Sequence, residues 1–521
     1  MGAHVGHAPV PRPPRPAIVG DPRHGAELTR VTAAAAPRVG FTGDRGRSTL
    51  PTMIPFSGAP VVDLRDEDPE EHRRWRQMCE RSAGLEGEAD AAARTIILDV
   101  RARGDEAVIE ATARFEGRTL EAADFELQAD ARRDACARVR PELRAALEVA
   151  AANVDAFHRT QRFNESGRES SDAHHRSRVT PLSRVAVYAP GGTAAYPSSV
   201  LMTAIPARVA KVDEIILFTP RPTDVVVLAA QLAGVDRIFA LGGAQAIAAA
   251  ALGTATIPRV DKIVGPGNAY VTAAKRQVFG LCDIDGIAGP SEILVLADKD
   301  AEPPLIAADL LAQAEHDPLA CPILVTDCEG LLAPVQAALA DQLTSLPRAM
   351  IAAQALAEQG ALVLVRDRAA MVAAANDYAP EHLELLVDDA DALVPALRTA
   401  GAIFVGRWTP EAAGDYTAGP SHVLPTAGAA RFASPLGVWD FLKYTSILRM
   451  GPAALREQAP AIVALARAEG LEAHARAAEL RFARGFDRGF ARGFEQGFDR
   501  SLEQGFNGSL AEDSQGEPSH D

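Results

Sequence analysis

A chain of 521 residues is long enough to bury more than one core. Its net charge of −16 argues against a general nucleic-acid binder, which needs a basic face, and is neutral about small substrates. No apolar run reaches the about 18 residues of a membrane span, and the start lacks the apolar segment of a secretory signal.

Residues 1–52 carry PVPRPPRP, scattered Gly and an excess of Arg over acids. Such a segment buries too little apolar surface to offset its ordering entropy, so disorder is expected, in an extension running to residue 60. Met53 is a candidate start. An Arg-rich, acid-poor leader is also the composition of an organelle transit peptide, although its prolines spoil an amphipathic helix. Residues 67–160 read as helices, in stretches such as EADAAARTIILDVRARGDEAVIEATARF.

From residue 184 short apolar runs alternate with helix-length stretches: RVAVYAP, SSVLMTAIPARVAKV, EIILFTP, DVVVLAAQLAGV, RIFALGG, AQAIAAAAL and DKIVGPGN. That alternation implies β-α-β units and a parallel, doubly wound sheet. A second series follows in EILVLAD, LIAADLLAQAEH, CPILVTD, ALVLVRD, HLELLVDD and AIFVGR. The expected fold class is α/β, with two doubly wound lobes and helical N- and C-terminal arms.

From 481 the chain reads RFARGFDRGFARGFEQGFDRSLEQGFNGSL, with Phe or Leu at every fourth residue from Phe482 to Leu510. A period of four is close to the helical one, but Gly precedes many of the Phe residues, and each costs a helix about 1 kcal/mol against Ala. A weakly ordered tail is favoured over a helix that docks a partner. The five cysteines, Cys79, Cys136, Cys282, Cys321 and Cys328, are odd in number and form no CxxC pair. They fit a reduced, cytoplasmic protein in which thiols are small core or surface residues.

Four polar islands interrupt the Ala/Leu/Val-rich second half. LLAQAEHDP places Gln313 and His316 three apart near a helix end, on one face, where an amide oxygen and an imidazole nitrogen can touch one metal. A helix-end cap is the plainer alternative for that pair alone. YAPEHLEL puts adjacent Glu381 and His382 at the mouth of a predicted strand, where a general base and a water-activating carboxylate could sit. EAAGDYTAGPSHVLPT flanks a Gly/Pro turn with Asp415 and His422. AEGLEAH places Glu469 and His474 five apart, which is no one-face spacing, so Gly470 is positioned to end one helix. Alone, His474 reads as an exposed helix residue. Together the islands point to one zinc-dependent acid–base site assembled from distant segments.

AVYAPGG, FALGGAQAIA and KIVGPGNAYVTAAKRQV each set glycines between a predicted strand and a helix, as a pyrophosphate requires. No complete GxGxxG is present, so a nicotinamide cofactor would have to bind in a divergent way.

Taken in order, YAPGG, GGAQAIA, GPGNAYVTAAKRQV, IDGIAGPSE, LLAQAEH, APEHLE, GDYTAGPSHVLPT and EGLEAH resemble the histidinol dehydrogenase family, over residues 61–481. The resemblance implies zinc ligands Gln313, His316, Asp415 and His474, one ion per subunit, and the acid–base pair Glu381 and His382. It implies substrate contacts at Ser291, Gln313, His316, His382, Asp415, His422, Glu469 and His474. Tyr188, Gln245 and Asn268 would meet NAD. It also implies a homodimer in which Glu469 and His474 reach the other subunit's site.

The lobes are then expected to be incomplete Rossmann-like units. A helical segment and the first part of lobe 1 would occupy 61–187, the cofactor lobe 188–293, the rest of lobe 1 294–436, and a helical exchange arm 437–481. The tail would be 482–521. The implied activity is a two-step, zinc- and NAD-dependent oxidation of L-histidinol to L-histidine, in the cytoplasm, with no nucleic-acid or membrane partner. A relative oxidising another small alcohol, such as a sulfonated propanediol, would not need Glu469 and His474. A non-catalytic zinc scaffold would not need Glu381 and His382.

Overall fold

The computed structural model describes residues 56, 58–81, 87–161, 163, 166–170, 172–191 and 196–482. The expected disorder before residue 56, the candidate start at Met53 and the Phe repeat beyond Phe482 lie outside them. The described residues belong to one compact unit.

The second apolar series forms a six-stranded parallel sheet. From edge to edge it runs Val61–Asp63, Ala361–Leu364, Cys321–Thr326, Glu292–Ala297, His382–Leu386 and Ala402–Val405. The first series forms a five-stranded parallel sheet in the order Arg237–Phe239, Glu214–Phe218, Arg184–Tyr188, Lys262–Val264 and Asp283–Ile284. Counted from the first strand of each series, both sheets have the order 3-2-1-4-5, and Val61–Asp63 extends the larger one. That order is the Rossmann order short of its sixth strand, as expected.

The strands lack polar alternation because both faces are covered. In Arg184–Tyr188, Val185 and Val187 pack on one face while Ala186 and Tyr188 pack on the other. In Glu292–Ala297, Ile293 and Val295 face one layer of helices and Leu294 and Leu296 the opposite one. Burying each such side chain contributes about 1.5–3 kcal/mol.

The structure departs from the sequence reading in three places. The helices Glu88–Arg103, Asp105–Glu116, Ala129–Arg138 and Pro141–Arg159 pack on the five-stranded sheet, whereas only Val61–Cys79 joins the six-stranded one. An amphipathic pattern shows which face of a helix is apolar, not which sheet that face covers. The ordered body also starts before residue 61: Ala59 is buried and exchanges backbone hydrogen bonds with the Gln336 amide. Finally, the C-terminal arm is not wholly helical. Leu442–Met450 is a strand, paired antiparallel with Ala173–Pro181, which pairs in turn with Ser166–Ser170. These strands are largely polar and half exposed, so no apolar run marked them. Among the described residues no helix is long and apolar enough to cross a membrane.

Candidate active site

The helix Arg368–Tyr378 ends at Ala379, a non-glycine residue with φ 54°, and Pro380 follows. This turn delivers Glu381 and His382 to the amino end of a central strand, where both are buried. His382 Nδ1 donates to the Glu292 carbonyl at 2.8 Å, which leaves Nε2 as the free acceptor. Burial lowers His382 to about 4, so the imidazole is neutral. The Glu381 carboxyl accepts the Glu292 N–H at 2.9 Å. Burial, with the Glu292 carboxylate beside it, pushes Glu381 well above the carboxylate range.

The helix Pro303–Ala314 brings Gln313 to the same end of the sheet and packs on the short helix Glu411–Tyr416, which carries Asp415. His316 lies just past the helix end, not within it, and its N–H donates to the Gln313 carbonyl at 3.2 Å. His316 Nε2 is 3.9 Å from Asp415 Oδ2, and His422 Nδ1 is 3.3 Å from Asp415 Oδ1. Burial opposes charge on Asp415, but the hydrogen bond from His422 and the fields of His382 and His316 prevail and hold it at about 2.

Gln313 is 1% exposed, and neither its amide oxygen nor its amide nitrogen has a partner; His316 Nδ1 is likewise unpartnered. A buried unpaired amide costs about 1–3 kcal/mol, so it calls for a ligand. An amide oxygen, an imidazole and an ionised carboxylate make a donor set that fits a divalent transition metal such as zinc. Ser291 stands half-buried at the start of the neighbouring strand, its carbonyl accepting from Cys321 N–H at 2.9 Å.

Sequence reasoning missed Glu411. It lies one helical turn before Asp415, is 1% exposed, and places Oε1 3.7 Å from His382 Nε2. His382, Glu411 and Asp415 each offer a ligand atom within 4.8 Å of one another. Burial and Asp415 push Glu411 up to about 9, so it is protonated at neutral pH. The i, i+4 spacing of Glu411 and Asp415 was visible in EAAGD; that Glu411 would be buried was not.

The residues expected to meet a cofactor gather at the opposite, carboxyl ends of the five-stranded sheet, where its strand order reverses. Tyr188 closes its central strand, and its buried hydroxyl accepts the Gly243 N–H at 3.1 Å. Gln245 donates to Glu116 Oε1 at 3.1 Å, and Gly242 N–H donates to the same oxygen at 3.1 Å. Asn268 caps the helix Ala269–Val278, accepting from the N–H groups of Tyr270 and Val271. Gly265, at φ 109°, crosses so close that a Cβ would sit 2.2 Å from the Tyr188 carbonyl oxygen. These glycine turns and helix starts fit a dinucleotide. Glu116, unmarked in the sequence, already fills the start of the helix Gly243–Leu252, so the fit is a divergent one.

Glu469 and His474 stand apart. Gly470, at φ 75°, separates the helices Pro452–Ala468 and Glu472–Glu479, as its place between them suggested. Both side chains are exposed, and among the described residues none of the ion pairs or hydrogen bonds of Gln313, His316 and Asp415 reaches them.

A buried His–Glu pair, metal-fitting donors and a dinucleotide-type sheet define the class: an α/β oxidoreductase. The model of the histidinol dehydrogenase family matches residues 79–482. The histidinol dehydrogenase of Rhizobium meliloti strain 1021 is 53% identical over 403 residues, covering 76% of this chain and 93% of that protein. That of Chromobacterium violaceum is 48% identical over 434 residues, 82% of this chain and 100% of that protein. The crystal structure of histidinol dehydrogenase from Elizabethkingia anophelis superposes with a TM-score of 0.75 at 35% identity, covering 81% of this chain and 98% of that one. The chain belongs to the histidinol dehydrogenase family.

Proposed function

We propose that the protein oxidises L-histidinol through L-histidinaldehyde to L-histidine, the last step of histidine biosynthesis, with one zinc per subunit and NAD. The observation that carries this reading is the unpartnered, buried amide of Gln313 beside the buried pair Glu381 and His382. Gln313, His316, Asp415 and the partner subunit's His474 would hold the zinc. When bound, zinc supplies a Lewis-acidic template for the substrate's imidazole and amino nitrogens, and NAD supplies the hydride acceptor.

His382 Nε2, neutral and unblocked, takes the proton of the substrate hydroxyl in the first oxidation. Glu381 then takes a proton from the water that attacks the aldehyde carbon, and its raised pKa makes it a stronger base than an ordinary carboxylate. Oxidation of the resulting hydrate gives the acid. Keeping the aldehyde in one buried site spares it from side reactions. Ser291, His422 and Glu469 complete the substrate contacts, and Tyr188, Gln245 and Asn268 meet NAD.

The arm supports a homodimer. Leu448, Leu465, Leu471 and Leu480 are exposed along it, and an exchanged element is a low-cost way to bury such residues and bring Glu469 and His474 to a second site. Cytoplasmic localisation accords with the five free thiols. The test is NADH formation with L-histidinol set against a sulfonated propanediol. Preference for the latter would replace the substrate while keeping the class.

A further inference from the structure

Between the strand start that carries Glu381 and the loop that carries His422 lies a buried carboxylate that neither touches substrate nor moves a proton in the chemistry above. Glu292 is 1% exposed. Its backbone reaches both members of the acid–base pair: the N–H holds Glu381 Oε2 at 2.9 Å and the carbonyl holds His382 Nδ1 at 2.8 Å. Its side chain returns the contact, Oε2 accepting the Glu381 N–H at 3.3 Å, while Oε1 accepts the Ala427 N–H at 2.8 Å. The charge is met by Arg81, whose Nε and Nη2 each donate to one carboxylate oxygen at 2.9 Å. Arg81 also donates to the Tyr378 carbonyl at 2.9 Å and stacks over that ring at 3.4 Å.

Two strained turns meet here. Ala379 and Ala427 are both non-glycine residues at φ 54°, a strained conformation that persists only where the surroundings impose it. Arg81 grips the chain on one side of Ala379 and Glu292 grips it on the other, while Glu292 also pins Ala427. Gly428, at φ 75°, follows Ala427, but no glycine stands at the Ala379 turn, and the ion pair touches both turns.

We propose that Glu292 and Arg81 are the positioning residues of the acid–base pair, clamping the Ala379 and Ala427 turns so that Glu381 and His382 meet the substrate in register. This rests on the reading of Glu381 and His382 as that pair.

The test uses the full-length, zinc-loaded protein and compares Glu292→Gln, Arg81→Met and Arg81→Lys with Glu381→Gln and His382→Asn. Glu292→Gln and Arg81→Met are expected to lower kcat about 10²-fold with KM for histidinol and zinc content unchanged, the cost of a misplacement near 1 Å. Arg81→Lys, which keeps the charge, recovers part of the loss. The double variant Arg81→Met, Glu292→Gln loses no more than the worse single, because the two act as one unit. Glu292→Gln also removes a negative charge beside Glu381, so the acid limb of aldehyde oxidation moves to lower pH, which a purely structural role would leave in place.

Near-wild-type kcat in Glu292→Gln and Arg81→Lys, with Glu381→Gln and His382→Asn inactive, overturns the positioning role. Loss of zinc parallel to loss of activity in Glu292→Gln overturns it too, since the clamp would then serve the metal cluster. Normal kcat in Glu381→Gln and His382→Asn overturns the underlying reading of the pair. Should Arg81→Met prove insoluble, Glu292→Gln and Arg81→Lys decide the matter between them.

Discussion

Single groups set the protonation states at the site. The carbonyl of Glu292 fixes the tautomer of His382, and burial keeps the ring neutral. His382→Asn is therefore expected to slow alcohol oxidation about 10²–10⁴-fold while zinc stays bound. Activity assays with metal analysis check this, and a variant that loses zinc yet turns over normally when resupplied would reassign the residue. Gln313 gives a sharper contrast. Without metal its amide is an unpaired buried group, so Gln313→Leu should leave the melting temperature of the metal-free protein equal or higher while zinc affinity falls. A destabilised metal-free variant that still holds zinc would contradict the ligand role.

His158 offers a pH test away from the site. It is fully buried in the helix Pro141–Arg159, and desolvation lowers its pKa below the ordinary 6.5. A depressed histidine pKa means the folded state binds fewer protons than the unfolded one below about 6.5, so stability is complete above that pH and declines beneath it. Denaturant unfolding between neutral pH and mildly acid pH should show that decline, and His158→Met should reduce its slope. An unchanged slope would place the acid sensitivity elsewhere.

At the scale of elements, the two sheets use opposite ends. The turns proposed to meet NAD sit at the carboxyl ends of one sheet, the usual place in doubly wound folds, while Glu381 and His382 sit at the amino ends of the other. The helix Pro303–Ala314 runs back along its strand, which brings Gln313 to the same end of the sheet as His382. Gly265 shows how tight the cofactor end is. Gly265→Ala is expected to cost more than about 1 kcal/mol, through both the left-handed backbone and the clash with Tyr188, and to weaken NAD binding; calorimetry and NAD titration measure both.

The strands and helices of both sheets were legible because buried parallel strands are continuous apolar runs, as in EIILF and EILVLA. The strand Leu442–Met450 was not, since LKYTSILRM is largely polar and its partner Ala173–Pro181 carries His, Arg and Ser. The candidate site was legible where titratable residues stood beside Gly and Pro, at Glu381, His382, Asp415 and His422. It was illegible where burial sets a residue apart, as at Glu292 with its partner Arg81 and at Glu411, whose letters match those of any surface residue.

At the scale of the whole molecule, the proposal joins two chains. Mixing His316→Ala with His474→Ala under conditions of subunit exchange should restore part of the activity, because one mixed site carries both lesions and the other carries none. A dead mixture despite proven exchange would return each site to a single chain. Residues before 53 and beyond Arg481 fall outside the family resemblance, so a protein trimmed of both should melt and turn over much as the full chain does. A fall of many degrees would make the tail part of the fold.

The central claim is a two-step oxidation in one site. The most direct measurement is NADH formed per L-histidinol consumed at completion. The account predicts two, with L-histidine as product and no free aldehyde; a ratio near one, with aldehyde accumulating in solution, would contradict it.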